Sequence, residues 1–374
     1  MQCPPSTCTY EASQLCVRHV TQPWTGDDMT WGNIFSIGLS ELVAFAFSLP
    51  FFSLVVASLI VAGGLLVVRL REGRGRTPRP SAADAASVAA RYLPERRALG
   101  FGAIGVVVVF GIENVVRGYL LNLVDIVEWW QYATPVFAAF LSLSVVLAMI
   151  AFRGTTPPEQ PVVSGARRSW TTYGSRISML SAGAALVGLL GTTIAAGLAS
   201  SADERGRYIY LAIPVPNTAI DPIRPWFYGW GFGVPVLVCV AALAVVTWAT
   251  LRGNAIRPFI RPETVGAEQI ARTEVASAVL RIATAGMLLA LAGAWRFIAR
   301  AGSASSLGVG DESGGRTEYD LAWQWAEFAI AAGWLAPAIE ITAFALLILV
   351  ASRLRREHTL ERSPERTPDR ETVR

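Results

Sequence analysis

Residues 99–125 read LGFGAIGVVVVFGIENVVRGYLLNLVD. The run is apolar. At about 1.5 Å per helical residue it is long enough to cross the roughly 30 Å hydrocarbon layer of a bilayer. Glu113, Asn114 and Arg117 nevertheless stand near its middle. Water is absent there, so an ionisable side chain is costly unless it pairs or faces a polar cavity. Glu113 and Arg117 are four residues apart, acid first, which puts them on one helix face in the favourable order. The expectation is a charged spanning helix with the other spans packed around it.

Composition extends that reading to the whole chain of 374 residues. It is 53% hydrophobic and 16% charged, with a mean hydropathy of +0.43. Soluble domains carry more charge than this. The class is therefore an all-α, polytopic membrane protein. All 32 basic residues are Arg and none is Lys, so no retinal Schiff base can form. The pI near 9.0 comes from Arg in loops and is explained by topology, not by nucleic acid. His19 and His358 both lie outside the apolar runs, so no His-based metal site is expected, and no cofactor. Cys3, Cys8 and Cys16 precede the first run, an odd number that makes a poor disulfide framework, and Cys239 lies inside a later one. Met29 opens MTWGNIFSIG just before the first apolar run, and a start there would leave those three cysteines out.

Seven apolar segments follow in order: 34–68, 99–125, 135–152, 177–199, 227–251, 279–299 and 325–351. Pro50 should kink or interrupt the first. Between them the sequence predicts a basic Pro/Gly linker after residue 68 and a short surface helix over 82–91. It further predicts a strand-like YIYLAIPVP after the fourth segment and an amphipathic lead-in helix before the sixth. A mobile Gly/Ser-rich loop is expected over 301–320, and a disordered charged tail from Ser352. Counting Arg by side gives 23 on one face and 6 on the other, with Arg117, Arg281 and Arg296 inside helices. Loops rich in Arg stay cytoplasmic, so the N-terminus is expected outside and the C-terminus inside. The expected organisation is an extracytoplasmic segment over 1–32, a seven-helix domain over 33–352 and a cytoplasmic tail over 353–374.

Two return segments begin alike, with Trp130 before Pro135 and Trp230 before Pro235, and two others open with Arg176-Ile177 and Arg281-Ile282. A repeated hairpin would produce this pattern. Interfacial Trp and first-turn Pro would produce it as well.

Glu113 and Glu340 fall near the middles of their segments and so share a depth, with Arg117 one turn outward of Glu113. One Arg between two acids leaves a net negative charge or a shared proton, which suits a proton relay or a cation site. Asn114, with Gly111 and Gly118 nearby, would allow close helix approach. Glu113, Asn114, Arg117 and Glu340 are thus the candidate substrate or proton site; the alternative is a structural pair that fixes packing. Arg281 and Arg296 read as snorkelling side chains without a role. Trp129, Trp130, Trp226, Trp230, Trp323 and Trp325 form a candidate aromatic surface on the outer side. It is either the wall of an outward cavity for an apolar or sugar-like ligand or a belt under a packed cap.

Gly308-Val309-Gly310-Asp311 with Tyr319-Asp320 resembles the GxGD and YD signatures of intramembrane aspartyl proteases. In that family each aspartate belongs to a membrane helix and YD comes first. Here both fall in one outer loop in reverse order, so no catalytic role is carried over. Glu113 and Arg117 resemble in part the Glu-Glu-x3-Arg of membrane prenyl proteases, but the second Glu and an intramembrane His are missing. The functional expectation is a small-solute transporter or permease of the cell membrane, with proton coupling at the charged group. The alternative is a non-transporting subunit that anchors a membrane or cytosolic protein partner. A third is a membrane enzyme acting on lipid or sugar through outer acids such as Asp125, Asp203 and Asp221.

Overall fold

The computed structural model describes residues 51–72, 82–115, 128–153, 169–216, 221–302, 306–310, 316–320 and 325–361. Among them are seven helices: α1 (Phe52–Glu72), α2 (Ala82–Val115), α3 (Thr134–Arg153), α4 (Arg176–Ala199), α5 (Trp230–Ile256), α6 (Val265–Ala301) and α7 (Ala326–Glu361). Six of these are long and apolar enough to span a bilayer, and α1 contributes a shorter apolar run, Phe52–Val68, just after Pro50. The fold is an all-α polytopic membrane bundle. Two antiparallel hairpins sit at one end, β1 (Ser201–Ala202) with β2 (Tyr208–Tyr210), and β3 (Ser306–Gly310) with β4 (Arg316–Asp320). This is called the cap end, and the opposite one the loop end.

Among the described residues the bundle is organised around α6, and not around α2, which carries the described part of the 99–125 run. In the most apolar stretch of α6, 83% is buried, against 22% for α2 and at most 39% for the other spans. α6 packs along α2, α3, α4, α5 and α7. Lipid tails are as apolar as Leu, so packing in a membrane selects small residues that let backbones approach. α6 carries Ala276, Ala278, Ala283, Ala285, Gly286, Ala290, Ala292 and Ala294, all buried. At Gly286 an added Cβ would meet Ala139 Cβ at 2.7 Å and Pro135 O at 3.2 Å, so α3 lies directly against the α6 backbone. Between α2 and α3, Ser142 Oγ lies 3.2 Å from the Gly102 carbonyl, where an added Cβ would crowd Ser142 Cβ at 2.9 Å.

Several expected boundaries move. The surface helix over 82–91 and the second span are one helix that runs through Pro94. Pro94 removes one helical hydrogen bond, but the turn around it is held from outside: Tyr92, Glu95 and Leu99 are all buried. The lead-in to the sixth span is likewise continuous with it in α6. The expected mobile loop over 301–320 contains the five-residue strands β3 and β4, in which Gly308 to Gly310 belong to β3 and Tyr319-Asp320 to β4. Gly308 to Gly310 and Tyr319-Asp320 are therefore on strands and not on a membrane helix, and Asp311 lies outside the described residues. α7 runs on to Glu361, past the boundary expected at Ser352. The paired Trp/Pro and Arg/Ile positions are not equivalent: Pro135 is the second residue of α3 whereas Pro235 is the sixth of α5, and Arg176 opens α4 whereas Arg281 lies mid-α6. The strand-like YIYLAIPVP does pair. Ile213 exchanges hydrogen bonds with Ile223, and Ile209, Leu211 and Ile213 are buried beneath Phe227 and Tyr228 as a cap on α4, α5 and α6.

Candidate functional site

α7 brings Glu340 to the middle of its apolar stretch, about 21 Å from either end at 1.5 Å per residue. Its carboxylate is buried and pairs with Arg296 of α6, Nη2 to Oε2 at 2.5 Å. The Ser53 hydroxyl of α1, also buried, donates to the same carboxylate. By sequence Arg296 reads as a snorkelling side chain without a role; the antiparallel α6–α7 packing makes it the counter-ion. Its own side chain remains 44% exposed, so one end of the pair is accessible and the other is sealed. An ion pair in this setting is retained only when its geometry is good and its remaining valences are filled.

The other expected members of that group are Glu113, Asn114 and Arg117. Glu113 is half-buried in the last described turn of α2, and the remainder of the 99–125 run beyond Val115 lies outside the described residues. Phe110, one turn before it, meets Phe344 of α7 edge-on with ring centres 5.4 Å apart, which puts the α2 end beside the α7 segment that carries Glu340. Asn114 is exposed and donates through Nδ2 to the Phe110 carbonyl at 2.9 Å, so it serves its own helix. Arg117 lies outside the described residues, as do Asp125 and Trp323.

A second polar group, at the loop end, was not anticipated. The α5–α6 connection folds back so that Arg257, Glu268 and Arg272 meet Arg91, Tyr92 and Glu95 of α2. Arg257 Nη2 lies 2.7 Å from Glu95 Oε1, both side chains under 5% exposed. Glu268 stands in the first turn of α6, where the helix dipole favours an acid, and its Oε2 faces Arg272 at 3.4 Å and Arg91 at 3.5 Å. Its Oε1 accepts from the Ile260 amide at 3.2 Å and faces the Thr264 hydroxyl at 3.1 Å. Arg272 is wholly buried. It donates to Tyr92 Oη and to the Ala255 and Pro258 carbonyls, with the Phe259 ring 4.3 Å from its guanidinium carbon. Asn254 Nδ2 donates to the Arg272 carbonyl. Arg96 and Glu274 add a half-exposed pair at 2.6 Å. Every carboxylate here is committed to a guanidinium, so the arrangement clamps α2, α5 and α6 together and offers no free general acid. The sequence signals were the Glu268/Arg272 spacing of four and the Tyr92/Glu95 spacing of three, each of which marks one helix face.

The aromatic residues divide between surface and packing. Trp129, Trp130 and Trp226 are exposed. Trp230 is packed over Gly197, where an added Cβ would meet its ring at 2.5 Å. Tyr132 stacks on Phe297 at 5.5 Å and meets Tyr228 edge-on at 5.3 Å, closing the cap. Tyr228 is fully buried, and burial pushes its pKa up to about 12 although Thr193 Oγ1 lies 3.3 Å from its hydroxyl. Trp325 lines an apolar cavity of about 160 Å³ below the cap.

Among the outer acids, Asp203 closes the β1–β2 turn. It accepts from the Arg205 amide at 2.9 Å and the Arg207 amide at 2.7 Å, and pairs with the Arg207 guanidinium at 2.8 Å. Desolvation would raise its pKa, but these hydrogen bonds and the Arg207 charge outweigh it and hold the carboxyl below its ordinary value. It is a turn staple with no spare valence for catalysis. Asp221 is exposed. Among the described residues no cluster of His, Cys, Asp and Glu could hold a metal ion. No protein-family model, curated protein or solved structure matches the chain.

Proposed function

We propose that this protein is a small-solute permease whose working group is Glu340 with Arg296 and Ser53, and that a proton on Glu340 is the coupling ion. The observation that carries the reading is the Arg296–Glu340 pair within the spanning region, sealed at the acid and open at the base. A buried acid held by one guanidinium has two states. Ionised, it binds Arg296; protonated, it releases Arg296 to an anionic or polar solute. Glu113, on the adjoining end of α2, is the second acid of that region. In proteoliposomes on a solid-supported membrane, a panel of polar solutes should elicit currents that depend on the pH gradient. Glu340→Gln should keep the fold and lose the pH dependence. Arg296→Gln should lose solute response. Transport by both variants at wild-type rates would end the reading.

A second reading, a non-transporting subunit that assembles with a partner protein, has its own support in the loop-end clamp. Alternating access requires both ends of a bundle to open. Opening this end would break the Glu95–Arg257 and Arg91–Glu268 pairs together. Cysteines at Arg96 and Glu274, whose side chains meet at 2.6 Å in the native chain, separate the two. Cross-linking them should stop transport in the permease reading. In the subunit reading it should change nothing, and a partner should co-purify stoichiometrically in polymer discs.

A further inference from the structure

We propose that the cavity beneath the cap is a binding site for one hydrocarbon chain of a bilayer lipid. Its walls are Gly191, Ala195 and Ala196 of α4, Ile298 of α6, and Trp325 and Phe328 at the start of α7, with Phe227 of the cap above. None of these residues belongs to the Glu340 group, so the inference stands apart from the transport reading.

Three observations select the occupant. The first is chemistry. The one polar side chain on the wall is Thr192, and its Oγ1 already accepts from Trp295 Nε1 at 3.0 Å. Trp295 in turn meets Phe328 edge-on at 5.7 Å, behind the wall. A cavity of about 150 Å³ with walls of this kind stays dry and takes up a benzene-sized hydrocarbon, because a water inside it would lack hydrogen-bond partners. The volume here, about 160 Å³, suits a comparable length of chain.

The second is access. Among the described residues α4 and α7 both pack along α6 and make no extensive contact with each other, and the cavity, lined from both, lies between them. On the α4 side, Ile194 and Leu198, which adjoin the Gly191–Ala196 wall, are exposed apolar side chains on a spanning helix. Their surroundings are lipid chains. Gly191 to Ala196 lie within about 12 Å of the α4 end at 1.5 Å per residue, the depth of the chain segments nearest the headgroups. The third is the wall itself. A Cβ added at Gly191 would meet no atom of the described residues within 4 Å, so the helix leaves room at that point.

The test is photo-cross-linking of the full chain in nanodiscs with a phosphatidylcholine that carries a diazirine in one acyl chain. Mass spectrometry then maps the labelled peptides. The expected result is saturable label on the peptides that contain Gly191–Ala196 and Trp325–Phe328, competed by unlabelled lipid. Gly191→Phe should lower that label about tenfold, the effect of displacing roughly two buried methylenes, and leave label on exposed α5 residues such as Val238 and Val245 unchanged. Ala195→Phe, one turn further along the same wall, is the second variant if Gly191→Phe does not fold. Label spread equally over all lipid-facing helices, or unaffected by either folded variant, would overturn the proposal. So would label at the cavity from a water-soluble aryl diazirine but not from the lipid, which would assign the site to a soluble apolar ligand.

Discussion

Arg257→Ala is the sharpest test of the loop-end clamp. Arg257 and Glu95 are both nearly inaccessible and meet at 2.7 Å through Arg257 Nη2 and Glu95 Oε1. Arg91 and Arg272 are engaged by Glu268, so truncating Arg257 leaves Glu95 buried with no cation of its own among the described residues. Removing one partner of such a pair costs about 3–5 kcal/mol, most of it the penalty of the stranded charge. Glu95→Gln keeps an amide oxygen for Arg257 but leaves that guanidinium without its counter-charge, and should cost about 2–3 kcal/mol, the upper part of the range for a hydrogen bond to a charged group. In the double variant the stranded charge is gone, so the total should fall short of the sum by about 2 kcal/mol. The assay is equilibrium unfolding by SDS in mixed micelles, followed by tryptophan fluorescence for the four corners of the cycle. Arg207→Ala, which breaks an equally short but exposed pair at the cap, is the control and should barely move the midpoint. Additivity within about 0.5 kcal/mol would show that Glu95 and Arg257 do not interact, and the clamp would have to be abandoned.

Other outcomes follow from the same geometry. Gly286→Val puts a side chain into Ala139 and the Pro135 carbonyl of α3, and should destabilise the bundle by about 1–3 kcal/mol, read as a lower SDS midpoint. The Tyr228 hydroxyl titrates at about 12 when folded and near 10 when unfolded. The unfolded state therefore loses its proton first, and about 3 kcal/mol of stability should disappear as pH rises from 10 to 12. Tyr228→Phe should flatten that loss. Asp203 has the opposite sign: its lowered pKa makes its contribution present above the ordinary carboxylate value and lost only on acidification below it. Asp203→Ala should open the β1–β2 turn and speed tryptic cleavage at Arg205 and Arg207 at neutral pH. For orientation, a cysteine at Ser201 should react with an impermeant thiol reagent from outside the cell and one at Ser164 should not; the reverse would invert the topology expected from the Arg distribution.

The apolar runs were enough to establish an all-α polytopic protein, because a span must satisfy its own backbone and that demand is written locally as length and hydropathy. The YIYLAIPVP stretch was legible for the same reason, since strand preference is local. Which helix stands in the middle was not. α3 and α5 have a mean hydropathy of 2.4 and the central α6 only 1.9. In a bilayer the lipid-facing surface is as apolar as the buried one, so hydropathy does not rank burial. The alanine and glycine content of α6 was the available sign, and it was weaker than the charged run at 99–125. The partners of the charges were equally out of reach. Glu113 and Arg117 are neighbours in sequence, but Glu340 meets Arg296 across a helix hairpin, and Glu95 meets Arg257 across 162 residues. Those pairings exist only once α6 and its lead-in are packed against α2 and α7. Tertiary packing alone decided which acid was sealed with which base.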